Sequence, residues 1–172
     1  MDAPLNQRRQ QPRRLCALCT YNERETLPAL VDAVLATVPD THLLVVDDNS
    51  PDGTEAWFHE IAQHEPRVSC LRRSAKLGLG TAVIAAIGHA IDHGFTYLAT
   101  LDADGSHDPA ALPQLFAVAE NVDVVIGSRY CSGGHIEGWP WWRRIVSRGV
   151  NVASRRFLRL PLNDCSGNFR VY

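Results

Sequence analysis

From residue 15 onward, short apolar runs alternate with stretches of helical periodicity. The run Leu15-Cys16-Ala17-Leu18-Cys19 predicts a buried strand over 15–20. Pro28 opens a predicted helix over 27–37, at a first-turn position where its missing N–H is not needed. Leu43-Leu44-Val45-Val46 predicts a second buried strand, and Asp47-Asp48-Asn49-Ser50-Pro51-Asp52-Gly53-Thr54, dense in turn formers, ends it. Thr54 is placed to cap a helix over 55–64. The same reading gives strands over 68–71, 97–101 and 122–126, and helices over 81–93 and from Pro109 to about 120. A loop from Gly127 to Trp142 leads to an amphipathic, arginine-rich helix over 143–158, and Phe169 to Tyr172 begin a further strand. Residues 1–13 are polar, rich in Gln and Arg and without periodicity, which predicts a flexible basic tail ahead of one domain over 14–172.

Strands that alternate with helices in this way predict an α/β fold: a mostly parallel central sheet with helices on both faces. Ligands of such sheets bind at the carboxyl ends of the strands. The polar clusters of this chain follow the first, second, fourth and fifth strands, which is the edge where chemistry is expected.

Composition narrows the class. With 172 residues, 45% hydrophobic and 21% charged, the chain has the make-up of one ordinary globular domain. No apolar run approaches the roughly 20 residues of a membrane span, and the N-terminus has no apolar signal region. The expected location is the cytoplasm, with peripheral attachment to the cytoplasmic face of a membrane as an extension. The five cysteines are odd in number and scattered, unlike a disulfide framework. Cys16 and Cys19 form a Cys-x-x-Cys, but residues three apart on a strand face opposite sides and do not share a metal.

The net charge of −2 conceals an asymmetry: residues 1–14 sum to +3, residues 143–172 to +6, and residues 15–142 to −11. Basic ends on an acidic body point to an anionic partner such as a phosphate or a lipid head group, not to nucleic acid. Arg144, Arg148, Arg155 and Arg159 are spaced to share a helix face beside Trp139, Trp141 and Trp142. That combination suits an anionic membrane surface; a solvated helix face and core tryptophans are the plainer alternative.

Asp102 and Asp104 lie where the fourth strand breaks into a loop. Two carboxylates so spaced can converge on Mg2+ or Mn2+, which favour carboxylate and phosphate oxygens. Asp47 and Asp48, and Tyr21 with Glu23, are turn residues that can also bind or stack on a nucleobase and ribose. Gly78-Leu79-Gly80 follows the third strand and lacks the third glycine of a dinucleotide fingerprint, and no P-loop motif occurs. His107 and His135 are loop histidines without an evident acid/base partner in sequence.

Together these pieces resemble glycosyltransferase family 2, and within it the polyprenol-phosphate mannose synthases. The resemblance rests on Thr20-Tyr21-Asn22-Glu23, the run from Val45 to Thr54, Lys76-Leu77-Gly78-Leu79-Gly80-Thr81-Ala82, the run from Leu101 to Pro109, Gly127-Ser128-Arg129-Tyr130, and Asp164 to Tyr172. It implies a GT-A, Rossmann-like fold. It also implies that Cys19, Tyr21, Glu23, Val46 and Asp48 line the base and ribose pocket, and that Asp102, Ala103 and Asp104 hold metal and diphosphate with Ser106 as a further metal contact. Arg129 is implied to contact donor or acceptor phosphate, Asp104 and Arg129 to be catalytic, and Ser166 and Arg170 to lie near the acceptor phosphate. Cys19 stands where the family usually has proline, a change that a backbone contact survives. The family's catalytic domain continues for tens of residues beyond the position of Tyr172, so its C-terminal part is expected to be missing here.

The activity so implied is metal-dependent transfer of mannose from GDP-mannose to a polyprenyl (dolichyl-type) phosphate with inversion. The alternatives are the same fold with another donor such as UDP-glucose, or a catalytically silent module that binds a nucleotide sugar or lipid phosphate.

Overall fold

The computed structural model describes residues 12–131, 140–159 and 162–172. His135, Trp139 and most of the expected tail lie outside the described residues, as does the side chain of Arg143. Strand β1 (Arg14–Thr20) leads to helix α1 (Leu27–Thr37), β2 (Thr41–Asp47), α2 (Thr54–Ile61), β3 (Val68–Arg72) and α3 (Leu79–Asp92). Then follow β4 (Tyr97–Asp102), α4 (Leu112–Ala119), β5 (Val125–Ile126), α5 (Trp141–Leu158) and β6 (Arg170–Val171).

The strands form one six-stranded sheet in the order β3-β2-β1-β4-β6-β5. β1, β2, β3 and β4 pair in parallel, while β6 runs antiparallel to both β4 and β5. The expected parallel sheet is therefore interrupted once, by a strand that enters between β4 and β5. Because β6 is reversed, the turn that precedes it lies at the carboxyl edge of the parallel strands.

Apolar packing covers both faces. Leu18, Leu43, Val45 and Leu101 join α1 and α4 on one side; Leu15, Ala17, Leu44 and Val46 join α3 on the other. Cys16 belongs to the first cluster and Cys19 to the second, so the Cys-x-x-Cys pair is split by the sheet. Burial pushes both thiols up to about 12, and at Cys19 the nearby Asp102 and Asp48 carboxylates add to the effect. α1 buries Leu27, Leu30, Val31, Val34 and Leu35, the spacing of a one-sided helix, with proline in its first turn.

Departures from the sequence reading have local causes. The helix expected from Pro109 begins as a 3-10 turn over Pro109–Ala111, capped by Asp108 Oδ1 accepting from the Ala110 N–H at 2.9 Å. Pro113 has no N–H to donate to residue 109, so the α-helix proper starts only at Leu112. β5 is two residues long instead of five, and Val122 and Val124 stay about half exposed, because its one partner among the described residues is the equally short β6. Where they meet, Gly127 donates its N–H to the Phe169 carbonyl at 2.8 Å, and a Cβ on Gly127 would stand 2.5 Å from Phe169 Cδ1. Only glycine fits that crossing. Arg13, at the edge of the expected tail, donates Nη1 to the His93 carbonyl at 2.6 Å and stacks over Phe95.

Helix α5 packs inside-out. The positions that turn towards the protein are polar: Ser147 accepts from Tyr130 Oη at 2.8 Å, and the buried Asn151 accepts the Cys165 N–H on Oδ1 at 2.8 Å. Trp141, Trp142, Ile145, Val146, Val152 and Phe157 face outward and are exposed. Arg144, Arg148 and Arg155 are exposed too and lie on one helix face, as their spacing predicts, but Arg159 is the C-cap, its backbone left-handed with φ of 53°, and does not continue that face. Among the described residues, no helix is long and apolar enough to cross a membrane.

Candidate active site

The carboxyl edge of β2-β1-β4-β6 gathers the polar clusters. Register places Cys19 between Val46 of β2 and Asp102 of β4. The Ala103 N–H then donates to the Cys19 carbonyl at 3.3 Å, and the Asp48 N–H to the Thr20 carbonyl at 3.1 Å. Tyr21, Asp48 and the Asp102-Ala103 pair thus emerge side by side.

On the β1–β2 side the loops are tied to one another. Asp47 is buried and forms a turn, its Oδ1 accepting from Ser50 Oγ at 2.5 Å and from the Ser50 N–H at 3.1 Å. Ser50 Oγ accepts the Asn22 N–H at 2.9 Å, and Asp52 Oδ2 accepts the Arg24 N–H at 2.9 Å. Asn22 and Asn49 hold left-handed backbone, with φ of 67° and 63°, which asparagine tolerates better than most residues. The walls around Tyr21 and Glu23 are fixed by these contacts.

Asp48 does more than its turn position suggests. Its Oδ2 accepts from the Leu77 N–H at 3.0 Å and the Gly78 N–H at 3.2 Å, and Arg73 Nε stands 2.8 Å from its Oδ1. This buried carboxylate anchors the Lys76–Gly80 loop and lays Lys76 Nζ 4.0 Å over the Tyr21 ring. Arg73, which carried no role in the sequence reading, is its counter-charge.

The metal candidates sit next along the edge. Ala103 is buried; Asp104 is exposed, its Oδ1 accepting the Ser106 N–H at 2.9 Å. Asp102 keeps 32% of its side chain open, and its Oδ1 accepts from Asn168 Nδ2 at 2.9 Å. The Asp102 N–H donates to His107 Nδ1 at 3.1 Å. His107 stacks on Phe169 with ring centroids 5.0 Å apart, and burial lowers its pKa below the ordinary value. A neutral ring accepting a backbone hydrogen bond is a structural support.

The phosphate candidates complete the edge. Arg129 grips Asp164 with two bonds, Nε to Oδ2 at 2.8 Å and Nη2 to Oδ1 at 2.9 Å, and Nη2 also donates to Ser166 Oγ at 3.0 Å. The Asp164 side chain is fully buried. Burial alone would raise its pKa, but the hydrogen bonds from Arg129 outweigh that and hold it below the ordinary carboxylate value. Arg170 donates Nε to the Gly167 carbonyl at 2.9 Å and Nη2 to the Cys165 carbonyl at 2.8 Å, bracing the 164–168 turn. Of the residues that the resemblance assigns to phosphate, Arg129 and Ser166 are brought together, whereas these contacts turn Arg170 towards its own loop. Asp164, Asn168 and Asn151 had no role assigned from sequence; the one signal was their place in or against the Asp164-to-Tyr172 motif.

The profile of Glycosyl transferase family 2 matches residues 16–172. Polyprenol monophosphomannose synthase of Mycolicibacterium smegmatis is 43% identical over 93% of this chain and 61% of its own length. Undecaprenyl-phosphate mannosyltransferase of Micrococcus luteus is 41% identical over 92% of this chain and 65% of its own length. The chain therefore spans a little under two thirds of these curated relatives. Among solved structures, glucosyl-3-phosphoglycerate synthase of Mycobacterium tuberculosis, in complex with Mn2+, UDP and glucosyl-3-phosphoglycerate, superposes with a TM-score of 0.65 at 17% identity. That match covers 94% of this chain and 56% of the other, and it gives the fold as GT-A.

Proposed function

Because the chain belongs to glycosyltransferase family 2, we propose that it is the donor-binding part of a polyprenol-phosphate mannosyltransferase, acting on GDP-mannose and a polyprenyl phosphate with inversion at the anomeric carbon. The observation that carries this reading is the meeting, at one sheet edge, of the Tyr21–Asp48 loops, the Asp102–Asp104 carboxylates and the Arg129–Ser166 pair. Base, diphosphate and acceptor phosphate find complementary groups in that order.

Asp102, Asp104 and Ser106 offer only oxygen donors, which suits Mg2+ or Mn2+. The chemistry such a cation supplies is charge neutralisation on the departing diphosphate. The protein's own groups position the reactants. Tyr21 and Glu23 receive the base, and Arg129, fixed by Asp164, presents its guanidinium with Ser166 to a phosphate. An ionised acceptor phosphate is itself the nucleophile and needs no strong general base. Positioning and preset charge then carry most of the rate.

The test is transfer of labelled mannose from GDP-mannose to a polyprenyl phosphate in Mn2+. Label is expected in the lipid fraction, lost with EDTA, and formed at least about tenfold faster than from UDP-glucose. Preference for UDP-glucose would overturn the donor assignment, and binding without turnover would favour the silent module.

The inside-out packing of α5 supports delivery of the acceptor from a bilayer. A helix with exposed tryptophans and aliphatics beside an arginine stripe suits the head-group layer. At about 1 kcal/mol per arginine, changing Arg144, Arg148 and Arg155 to Gln is expected to weaken co-sedimentation with anionic vesicles about 100-fold at low salt. Equal binding to neutral vesicles, or no change in the triple variant, would sink the membrane reading.

A further inference from the structure

The grip on Asp102 comes from one dipeptide. In the antiparallel register of β4 and β6, Thr100 pairs with Arg170, so continuing the ladder sets Asp102 opposite Asn168. Asn168 is buried, and its position is set by its own backbone: its carbonyl accepts from the buried Thr100 Oγ1 at 2.6 Å. From there Nδ2 donates to Asp102 Oδ1 at 2.9 Å. The next residue, Phe169, stacks on His107, whose Nδ1 accepts the Asp102 N–H. Asp102 is thus held at its backbone and at Oδ1, while Oδ2 lies 3.9 Å from His107 Nε2 and a third of the side chain stays open.

We propose that Asn168 is a positioning residue for the metal carboxylate: it fixes Asp102 Oδ1 and thereby presents Oδ2 to the cation. The inference rests on the reading of Asp102 as a metal ligand and adds a residue to which neither the motifs nor the relatives' names assign a role. It has a second consequence. Asn168 belongs to the turn that carries Asp164 and Ser166, so the carboxylate on the donor side and the groups on the phosphate side share one rigid support. A carboxylate with one oxygen held in this way loses less freedom on binding metal, and outer partners of this kind are worth about 10–100-fold in affinity.

The experiment measures Mn2+ affinity of the purified protein with GDP present, from the electron paramagnetic resonance signal of free Mn2+. Asn168→Ala and the near-isosteric Asn168→Leu are each expected to weaken Mn2+ binding about 10–100-fold. GDP affinity in EDTA should stay within about twofold, since the hydrogen bonds of Asn168 among the described residues go to Thr100 and Asp102 and not to the base-side loops. In an Asp102→Ala background, Asn168→Ala should have no further effect, because the residue acts only through that carboxylate. Unchanged Mn2+ affinity in both variants would overturn the proposal. So would an undiminished loss in the Asp102→Ala background, which would make Asn168 a ligand in its own right, or an equal loss of GDP affinity in EDTA, which would mean a collapsed pocket. If Asp102→Ala alone leaves Mn2+ affinity intact, the metal reading itself falls, an outcome separate from the others.

Discussion

Replacing Asp104 with alanine is expected to lower Mn2+-dependent mannose transfer about 100- to 1,000-fold while leaving the fold intact. The separation of the two effects follows from where Asp104 sits. It is exposed, and the contact its side chain makes is the turn bond from the Ser106 N–H at 2.9 Å. Losing such a bond at the surface costs about 1 kcal/mol of stability at most. The same carboxylate is proposed to supply charge at the diphosphate, where the loss falls on the transition state. GDP-mannose binding should weaken in Mn2+ and change little in EDTA. Parent-like affinity of Asp104→Ala in Mn2+ would remove Asp104 from the metal site.

The second large effect is on stability. Asp164→Ala is expected to destabilise the protein by about 3–5 kcal/mol, because it removes a fully buried carboxylate that takes two hydrogen bonds from Arg129 and breaks a buried ion pair from one side. For a chain of this size that lowers Tm by roughly 6–20 °C, which differential scanning calorimetry resolves. The pH dependence has a definite sign. The folded-state pKa of Asp164 lies below its ordinary value, so its contribution is complete above the unfolded-state value of about 3.9. It fades as pH falls through the depressed folded value. The parent should therefore lose stability on acidification below about pH 4 more steeply than Asp164→Ala does. A variant that melts with the parent, or parallel acid profiles, would show that the pair contributes little.

The order of strands and helices was readable from apolar spacing alone, since β1, β2, β4 and α1 are long apolar runs with clear stops. What escaped is everything decided across the sheet. Nothing local in Phe169–Tyr172 says that the strand runs backwards, or that it enters between β4 and β5. Asp102 and Asp104 stand out as a carboxylate pair at a strand end, and Arg129 and Ser166 stand in motifs that carry the family resemblance. Their supports were not visible. Asp164 and Asn168 reach partners 35 and 66 residues away, and Arg73 reaches Asp48 across 25. Asp48 shows the same limit from the other side: its place in a turn leaves a turn role and a ligand role open, and only its long-range contacts show that it anchors the Lys76–Gly80 loop. The inside-out packing of α5 was half legible. The arginine face follows from spacing, but that Ser147 and Asn151 turn inward depends on Tyr130 and Cys165.

The insertion of β6 also fixes an order of events during synthesis. Among the described residues β5 hydrogen-bonds to the sheet only through β6, yet 43 residues lie between Ile126 and Arg170. At translation rates of about 5–20 residues per second, those residues take roughly 2–9 s to emerge. Through that interval β1 to β4 can pair as each is made, but the outer edge of β4 stands bare and β5 has no partner. Exposed edges of that kind recruit other strands, so the nascent chain passes through a window in which aggregation competes with completion. The same segment carries Asn168, which ties the arrival of β6 to the setting of the Asp102 carboxylate.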